Sequence, residues 1–407
     1  MSDVDLHENA PALLPSAVRS ALVLSMRSVV MEAVQAATGA APPIDQARAE
    51  AFGERMLGVV NDACLALMTS IGHQVGLFDT LAGIPPATSR QIADAAGLQE
   101  RYAREWLGAM TASEVVEYDP GTQTYRLPPA HAASLTRAAG PDNLARVTQF
   151  IPLLADVEAP LVACFRDGGG VGYSEYERFH RLMAEESAAV HDTALLDVIV
   201  PLVPGLAGRL HEGIDVADVG CGSGHAINLL AQAFPASRFV GYDFSEEGID
   251  AASGEAKEKG LSNAAFELRD VTDLGERDRF DLICAFDAIH DQAHPAEVLA
   301  GIAAALRDDG TFLMVDIQAS SNLQDNLDHP LGTFLYTVST MHCMTVSLAL
   351  EGDGLGTVWG EQKAQQMLAE AGFGFVETTH VEADILNTYY LARKTPPATK
   401  PLEGARP

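Results

Sequence analysis

Positive charge is what this chain has least of. Its 407 residues hold 26 Lys and Arg against 56 Asp and Glu, a formal net charge of -30. Proteins that bind nucleic acid neutralise phosphates with Lys and Arg, so a surface of this sign argues against a nucleic-acid partner. Cysteine is also scarce. Cys64, Cys164, Cys221, Cys284 and Cys343 are odd in number, widely scattered and form no CxxC pair. That excludes a disulfide framework or a zinc ribbon and points to a reducing, cytoplasmic setting. The apolar stretch ALVLSMRSVVMEAVQAA is interrupted by Arg27 and Glu32, which suits an amphipathic helix better than a membrane span. The opening MSDVDLHENAPALLPS is acidic and polar, unlike a secretory leader. No membrane contact is expected.

What is present is an ordinary globular composition, 47% apolar, in a chain long enough for two or three domains. Residues 1–50 form an N-terminal helical arm that ends at the Pro-rich break GAAPPID. Residues 51–140 follow the pattern helix, helix, helix, hairpin. PATSRQIADAAG carries a Thr/Ser cap and stops at Gly97, and LQERYAREWLGAMTAS puts Tyr102, Trp106, Leu107 and Met110 on one stripe. VVEYDPGTQTYRL folds back at Asp119-Pro120-Gly121. Three helices and a β-wing make a winged helix, here expected to serve dimerisation. Residues 141–205 are a helical linker that covers a pocket. From 206 to 395 strands and helices alternate, with strands at 214–219, 238–243, 264–268, 280–287, 311–317, 375–379 and 388–392. That pattern predicts an α/β, Rossmann-like sheet with helices on both faces. Residues 396–407, Pro-rich, are expected to be a disordered tail.

The stretch DVADVGCGSGHAINLL (215–230) concentrates Gly220, Gly222 and Gly224 straight after an apolar run ending in Asp218. Glycine at this density suits a turn where backbone approaches a ligand. A dinucleotide fingerprint would need GxGxxG, but its third-glycine position is His225. Asp243 closes the next strand, RFVGYD, where an acidic residue can accept both ribose hydroxyls.

DVADVGCGSG, VGYD, ELRDVTD and FDLICAFDAIHD resemble the successive motifs of class I S-adenosylmethionine-dependent methyltransferases, over about residues 205–394. The preceding winged helix resembles the arrangement in bacterial and plant small-molecule methyltransferases. GGGVGY, SNLQDNLDHPLGTFLYTVSTMHCM and GLGTVWG resemble a bacterial subfamily known from mycobacteria. The resemblance implies S-adenosyl-L-methionine as cofactor. It places Gly220, Gly222 and Gly224 beneath the methionine part and Asp218 at the loop and the amino group. Asp243 falls to the ribose hydroxyls and Asp270 to the adenine amino group, with Val271 supplying an amide. Phe286 and Asp287 flank the methyl-donor pocket.

Methyl transfer from a sulfonium needs alignment, exclusion of water and, for a neutral hydroxyl or thiol, a base. His290, just past the fourth strand, is the first candidate, with Asp291 to orient it. In YTVSTMHCMTVSLAL, Tyr336, Ser339 and Cys343 fall at helical spacing. Tyr336, His342 and Cys343 are candidate acceptor contacts, His342 an alternative base, and Tyr173, after Gly168-Gly169-Gly170, a lid residue. No metal is expected, because Pro295 starts a new helix behind His294 and separates it from His290. The acceptor is expected to be a small-molecule oxygen or sulfur nucleophile and the protein a homodimer. The rival is a cofactor-sensing winged-helix transcriptional regulator. Its recognition helix would carry Glu100, Arg101, Arg104 and Glu105, which cancel.

Overall fold

The computed structural model describes residues 44–381 and 384–396. The helix expected at 21–37 and nearly all of the expected tail lie outside them. The chain divides into two compact units at Asp62/Ala63. In the first, α1 (Gln46–Gln74) begins with Phe52, Met56, Leu57 and Val60 exposed. Among the described residues α1 is the one unbroken helix long and apolar enough to cross a membrane.

In the second unit, the last turns of α1 are packed. Thr69, Ser70 and His73 are buried, and the Trp106 indole donates to the Met68 carbonyl at 2.7 Å. Helices α2 (Leu77–Gly83), α3 (Ser89–Ala96) and α4 (Glu100–Ala112) follow. Thr88 and Gln91 form a capping box on α3, and Gly97 ends it in left-handed geometry at φ 68, as the sequence signals predict. The buried stripe of α4 is Ala103, Trp106, Leu107 and Met110. Tyr102, expected on that stripe, is 81% exposed. At 3.6 residues per turn the place one turn before Trp106 and Leu107 belongs to Ala103. Strands β1 (Glu117–Asp119) and β2 (Thr124–Arg126) pair antiparallel, and the Asp119 carboxylate accepts from Gly121 N at 2.8 Å to hold the turn.

The linker leads through α5 (Phe179–Ala194) into β3 (Asp215–Val219), α6 (His225–Ala233), β4 (Arg238–Asp243), α7 (Glu246–Glu258), β5 (Ala264–Leu268), β6 (Phe280–Phe286), α8 (Pro295–Ala305) and β7 (Leu306–Ile317). Then come α9 (Gly332–Val338), α10 (Met344–Ala349), α11 (Gly360–Glu370), β8 (Phe375–Val381) and β9 (Asp384–Arg393). The seven strands lie in the order β5-β4-β3-β6-β7-β9-β8. All pairings are parallel except those of β9, which runs antiparallel to β7 and β8. Side chains alternate between two cores, as a pleat requires. Ile283, Phe312 and Met314 face α8 and α11. Leu282, Leu313 and Val315 face α6 and the segment around Leu206. Strand ends β3, β4, β6 and β7 therefore bring Asp218, Asp243, Asp287 and Asp316 to one edge of the sheet.

The charges of the winged module decide what it can bind. Arg101 pairs with Glu105, Arg104 with Glu100 at 3.2 Å, and Arg126 with Glu117. Each cation on α4 and the wing that could meet a phosphate is neutralised at home. Titration with duplex DNA at physiological salt should show no saturable complex tighter than about 10⁻⁶ M. A nanomolar, sequence-specific complex would restore the regulator as a function.

Candidate active site

After β3 the chain turns through Gly220, Gly222 and Gly224, all left-handed, at φ 74, 52 and 66. Each glycine answers a different demand. A Cβ on Gly220 would lie 2.5 Å from the Ala288 Cβ. One on Gly224 would lie 2.4 Å from the Phe266 ring and 2.5 Å from the Ala252 Cβ, so α6 can pack on the sheet only without it. One on Gly222 would meet nothing within 4 Å and stands at a cavity of about 380 Å³. Asp243 ties the loop down: its carboxylate accepts from Gly222 N at 2.7 Å and from Ser245 N at 2.8 Å.

Asp218, Asp243, Glu247, Asp287 and Asp291 border this cavity, against the single cationic Arg181. The Asp218 Oδ1 is buried with no partner. Burial first, and the neighbouring Asp243 second, push its carboxyl up to about 8. An acidic cavity with an orphaned carboxyl oxygen and open backbone at Gly222 fits a cationic ligand that carries an ammonium and a sulfonium.

A second cavity of about 180 Å³ adjoins it, and Phe179, Met183, His191, Phe286, Asp287 and Asp291 border both. Its walls are mostly apolar, with Phe150, Val190, Phe334, Leu335 and Val338 among them. His290 opens on it and is 4% exposed. Its Nδ1 is 2.9 Å from the Oδ1 of Asp316, which also accepts from the Trp359 indole at 3.0 Å and from Ile317 N at 2.8 Å. Burial alone would depress the imidazole pKa. The Asp316 carboxylate, with the Cys343 thiol beside the ring, overrides it and holds the pKa well above the usual histidine value. Asp316 occupies Nδ1, and the Cys343 thiol lies within hydrogen-bonding reach of the ring.

Asp291, expected to orient His290, does not do so. It accepts a hydrogen bond from the Tyr173 hydroxyl, while the parallel pairing of β6 with β7 brings Asp316 to the histidine. Tyr173 borders the donor cavity only. The loop that carries it is seated by Gly170, where a Cβ would fall 2.0 Å from the Thr345 carbonyl oxygen, and by Val171 N, which donates to the Thr345 hydroxyl at 2.9 Å. Val271 borders the donor cavity. Asp270 does not; it is exposed and accepts from Thr272 N at 2.9 Å. His342 and Cys343 border the acceptor cavity. Tyr336 lies elsewhere, in a separate groove with Leu161 and Phe165, where its hydroxyl accepts from Asn326 at 3.1 Å. The reason is a π-turn at Ser339–Cys343, which breaks the helical register that joined Tyr336 to Cys343. Asp316 was missed as the histidine's partner, although it shares with Asp218, Asp243 and Asp287 the signal of an acidic residue ending an apolar strand. No group of three or more His, Cys, Asp or Glu arranged for a metal occurs among the described residues.

A glycine-cradled cavity at the carboxyl edge of a 3-2-1-4-5-7-6 sheet, counting its strands in chain order, defines a class I methyltransferase domain. The comparisons agree. Residues 63–137 match the Rv2258c-like winged HTH domain and residues 210–372 a methyltransferase domain. The chain thus carries a winged-helix domain followed by a methyltransferase domain. A trans-aconitate 2-methyltransferase from Acidovorax sp. (strain JS42) is 26% identical over 175 residues, 43% of this chain and 60% of that protein. The chain spans 30, 40 and 60% of the lengths of three curated relatives it matches. Mitomycin 7-O-methyltransferase MmcR shares the fold with a TM-score of 0.61 at 17% identity, over 86% of this chain and 99% of that one. Human N-acetylserotonin methyltransferase, solved with S-adenosylmethionine, gives 0.59 at 16% identity, over 88% and 100%.

The glycines should separate binding from folding. Gly222→Val should abolish S-adenosylmethionine binding in calorimetry at a stability cost of about 1–2 kcal/mol from the left-handed backbone. Gly224→Ala should lose that and about 1–3 kcal/mol more by overpacking, seen in denaturant unfolding.

Proposed function

We propose that the protein transfers a methyl group from S-adenosylmethionine to the oxygen or sulfur nucleophile of a small molecule held in the His290 cavity. The observation that carries this reading is the buried His290–Asp316 pair on a cavity continuous with the glycine-loop cavity. When bound, the donor supplies an electrophilic methyl on a positively charged sulfur. The glycine loop, Asp218 and Asp243 hold that donor, and Phe286 and Asp287 stand between the two cavities. His290 Nε2 takes the proton of the acceptor while Asp316 holds the tautomer and stabilises the imidazolium. Tyr173 and Asp291 close the donor side against water.

A base backed by a buried carboxylate serves a hydroxyl most, since a thiol ionises readily unaided, so oxygen is the favoured nucleophile. Trans-aconitate, which names the Acidovorax relative's acceptor, is a polycarboxylate, and no Lys or Arg borders this acceptor cavity to receive one. The regulator alternative finds no cationic face on the winged module. The proposal includes a cytoplasmic setting and a homodimer, for which the exposed apolar side chains of α1 give surface.

The test is labelled S-adenosylmethionine with a panel of phenols, alcohols and thiols. His290→Ala should lower turnover by about 10²–10⁴-fold with cofactor affinity nearly unchanged. The wild-type rate should rise with pH through a limb above about 6.5, because Asp316 raises the pKa of the base that must be neutral to act. Asp316→Asn should move that limb to lower pH and cut turnover. A mutant at position 290 with full activity and an unchanged profile would remove His290 from the chemistry.

A further inference from the structure

The acceptor cavity is apolar in its walls but not in its inventory. Five of its bordering residues keep buried polar atoms without a protein partner: His191 Nδ1, Asp287 Oδ1, both ring nitrogens of His342, Thr357 Oγ1 and Asn387 Oδ1. Such atoms are costly unless something bonds them, about 1–3 kcal/mol each. His342, like Thr357, is 2% exposed. Its ring stacks on Phe179 at 3.8 Å between centroids and meets Tyr176 and Tyr173 edge-on at 4.7 and 5.4 Å. That aromatic box fixes the imidazole without using either nitrogen.

The box also fixes its charge. Burial chiefly, and His290 and His180 behind it, push the His342 pKa down to about 3, so it stays neutral and is no base at physiological pH. A neutral imidazole offers one N–H and one lone pair. His191 is likewise held neutral, near 4, by burial first. Asp287 and Asn387 present oxygens, the Asn387 amide nitrogen being committed to Asp384 at 3.1 Å. The groups that wait are mostly acceptors. The one cation facing the cavity is the His290 imidazolium, which Asp316 already neutralises, while Glu186, Asp287 and Asp291 border it as carboxyls. Resting on the methyltransferase reading of this site, we propose that the cavity selects an acceptor with an apolar, ring-sized body that carries a second hydrogen-bonding hydroxyl and no carboxylate. His342 is the residue that sets this preference.

The experiment is calorimetric binding to the full chain of three matched probes: a dihydroxynaphthalene, the corresponding naphthol and the corresponding hydroxynaphthoate. The diol should bind about two- to tenfold tighter than the naphthol, the worth of one hydrogen bond. The naphthoate should bind at least about tenfold more weakly than the naphthol, as befits an unpaired buried charge. His342→Phe keeps the stacking and should erase the preference for the diol, weakening its binding to that of the naphthol. His342→Gln, with an amide in place of the ring, should restore part of it. Equal binding of diol and naphthol to the wild type, a preference that survives in His342→Phe, or a naphthoate that binds as well as the diol would each overturn the proposal. If a variant fails to fold, the wild-type probe order still decides. Binding is read without the methyl donor. The expected order with no probe methylated would therefore refute the activity alone, and methylation without the order would refute this inference alone.

Discussion

The acceptor side of the site hangs on one carboxylate. Asp316 is fully buried, and its Oδ1 collects His290, the Trp359 indole and Ile317 N. Its Oδ2 is buried without a partner, so the carboxylate depends on the three donors that converge on Oδ1. The three donors come from the loop after β6, the start of α11 and the end of β7, so the same oxygen that tunes the histidine also gathers the three segments that frame the cavity. Gly356 N, which donates to the His290 carbonyl at 3.1 Å, adds a backbone tie between two of them. Geometry and acidity of the base are thus one constraint, and neither can be altered without the other.

The donor side was legible in the sequence because its signals are local. A loop that needs left-handed backbone must spend glycines, and three within five residues at a strand end leave few alternatives. The strands were legible because each is a short apolar run with a β-rich composition; the expected 238–243 and 264–268 match β4 and β5 residue for residue. The antiparallel run of β9 was not foreseen, since direction is a property of pairing and not of composition. Asp316 as partner of His290 was hidden for the same reason: 26 residues separate them, and only the register of β7 against β6 brings them together. Adjacency in sequence favoured Asp291, which folding turns toward Tyr173. Tyr336 was misplaced by a single π-turn, because helical spacing carries no mark of an inserted residue.

Between the two halves stands Asp287, and its backbone shows how they are joined. It is a non-glycine residue at φ 52, a conformation that costs about 1–2 kcal/mol. Strain of this kind persists only where surrounding structure over-determines it. Here Asp287 N donates to the Val315 carbonyl at 2.9 Å, continuing the β6–β7 ladder one residue past the strand, while Ala288 beyond it packs against the space that Gly220 leaves open. The chain must therefore bend between a ladder it has not finished and a loop it must touch. The bend leaves Asp287 Oδ1 without a protein partner on the boundary of both cavities. Burial first, with Asp316 behind it, pushes that carboxyl up to about 7, so its charge responds to whatever occupies either side. A cation on the donor side favours the carboxylate, and a carboxylate accepts hydrogen bonds from an acceptor more strongly than a carboxyl does. A strained residue is thus the shared wall of the two cavities.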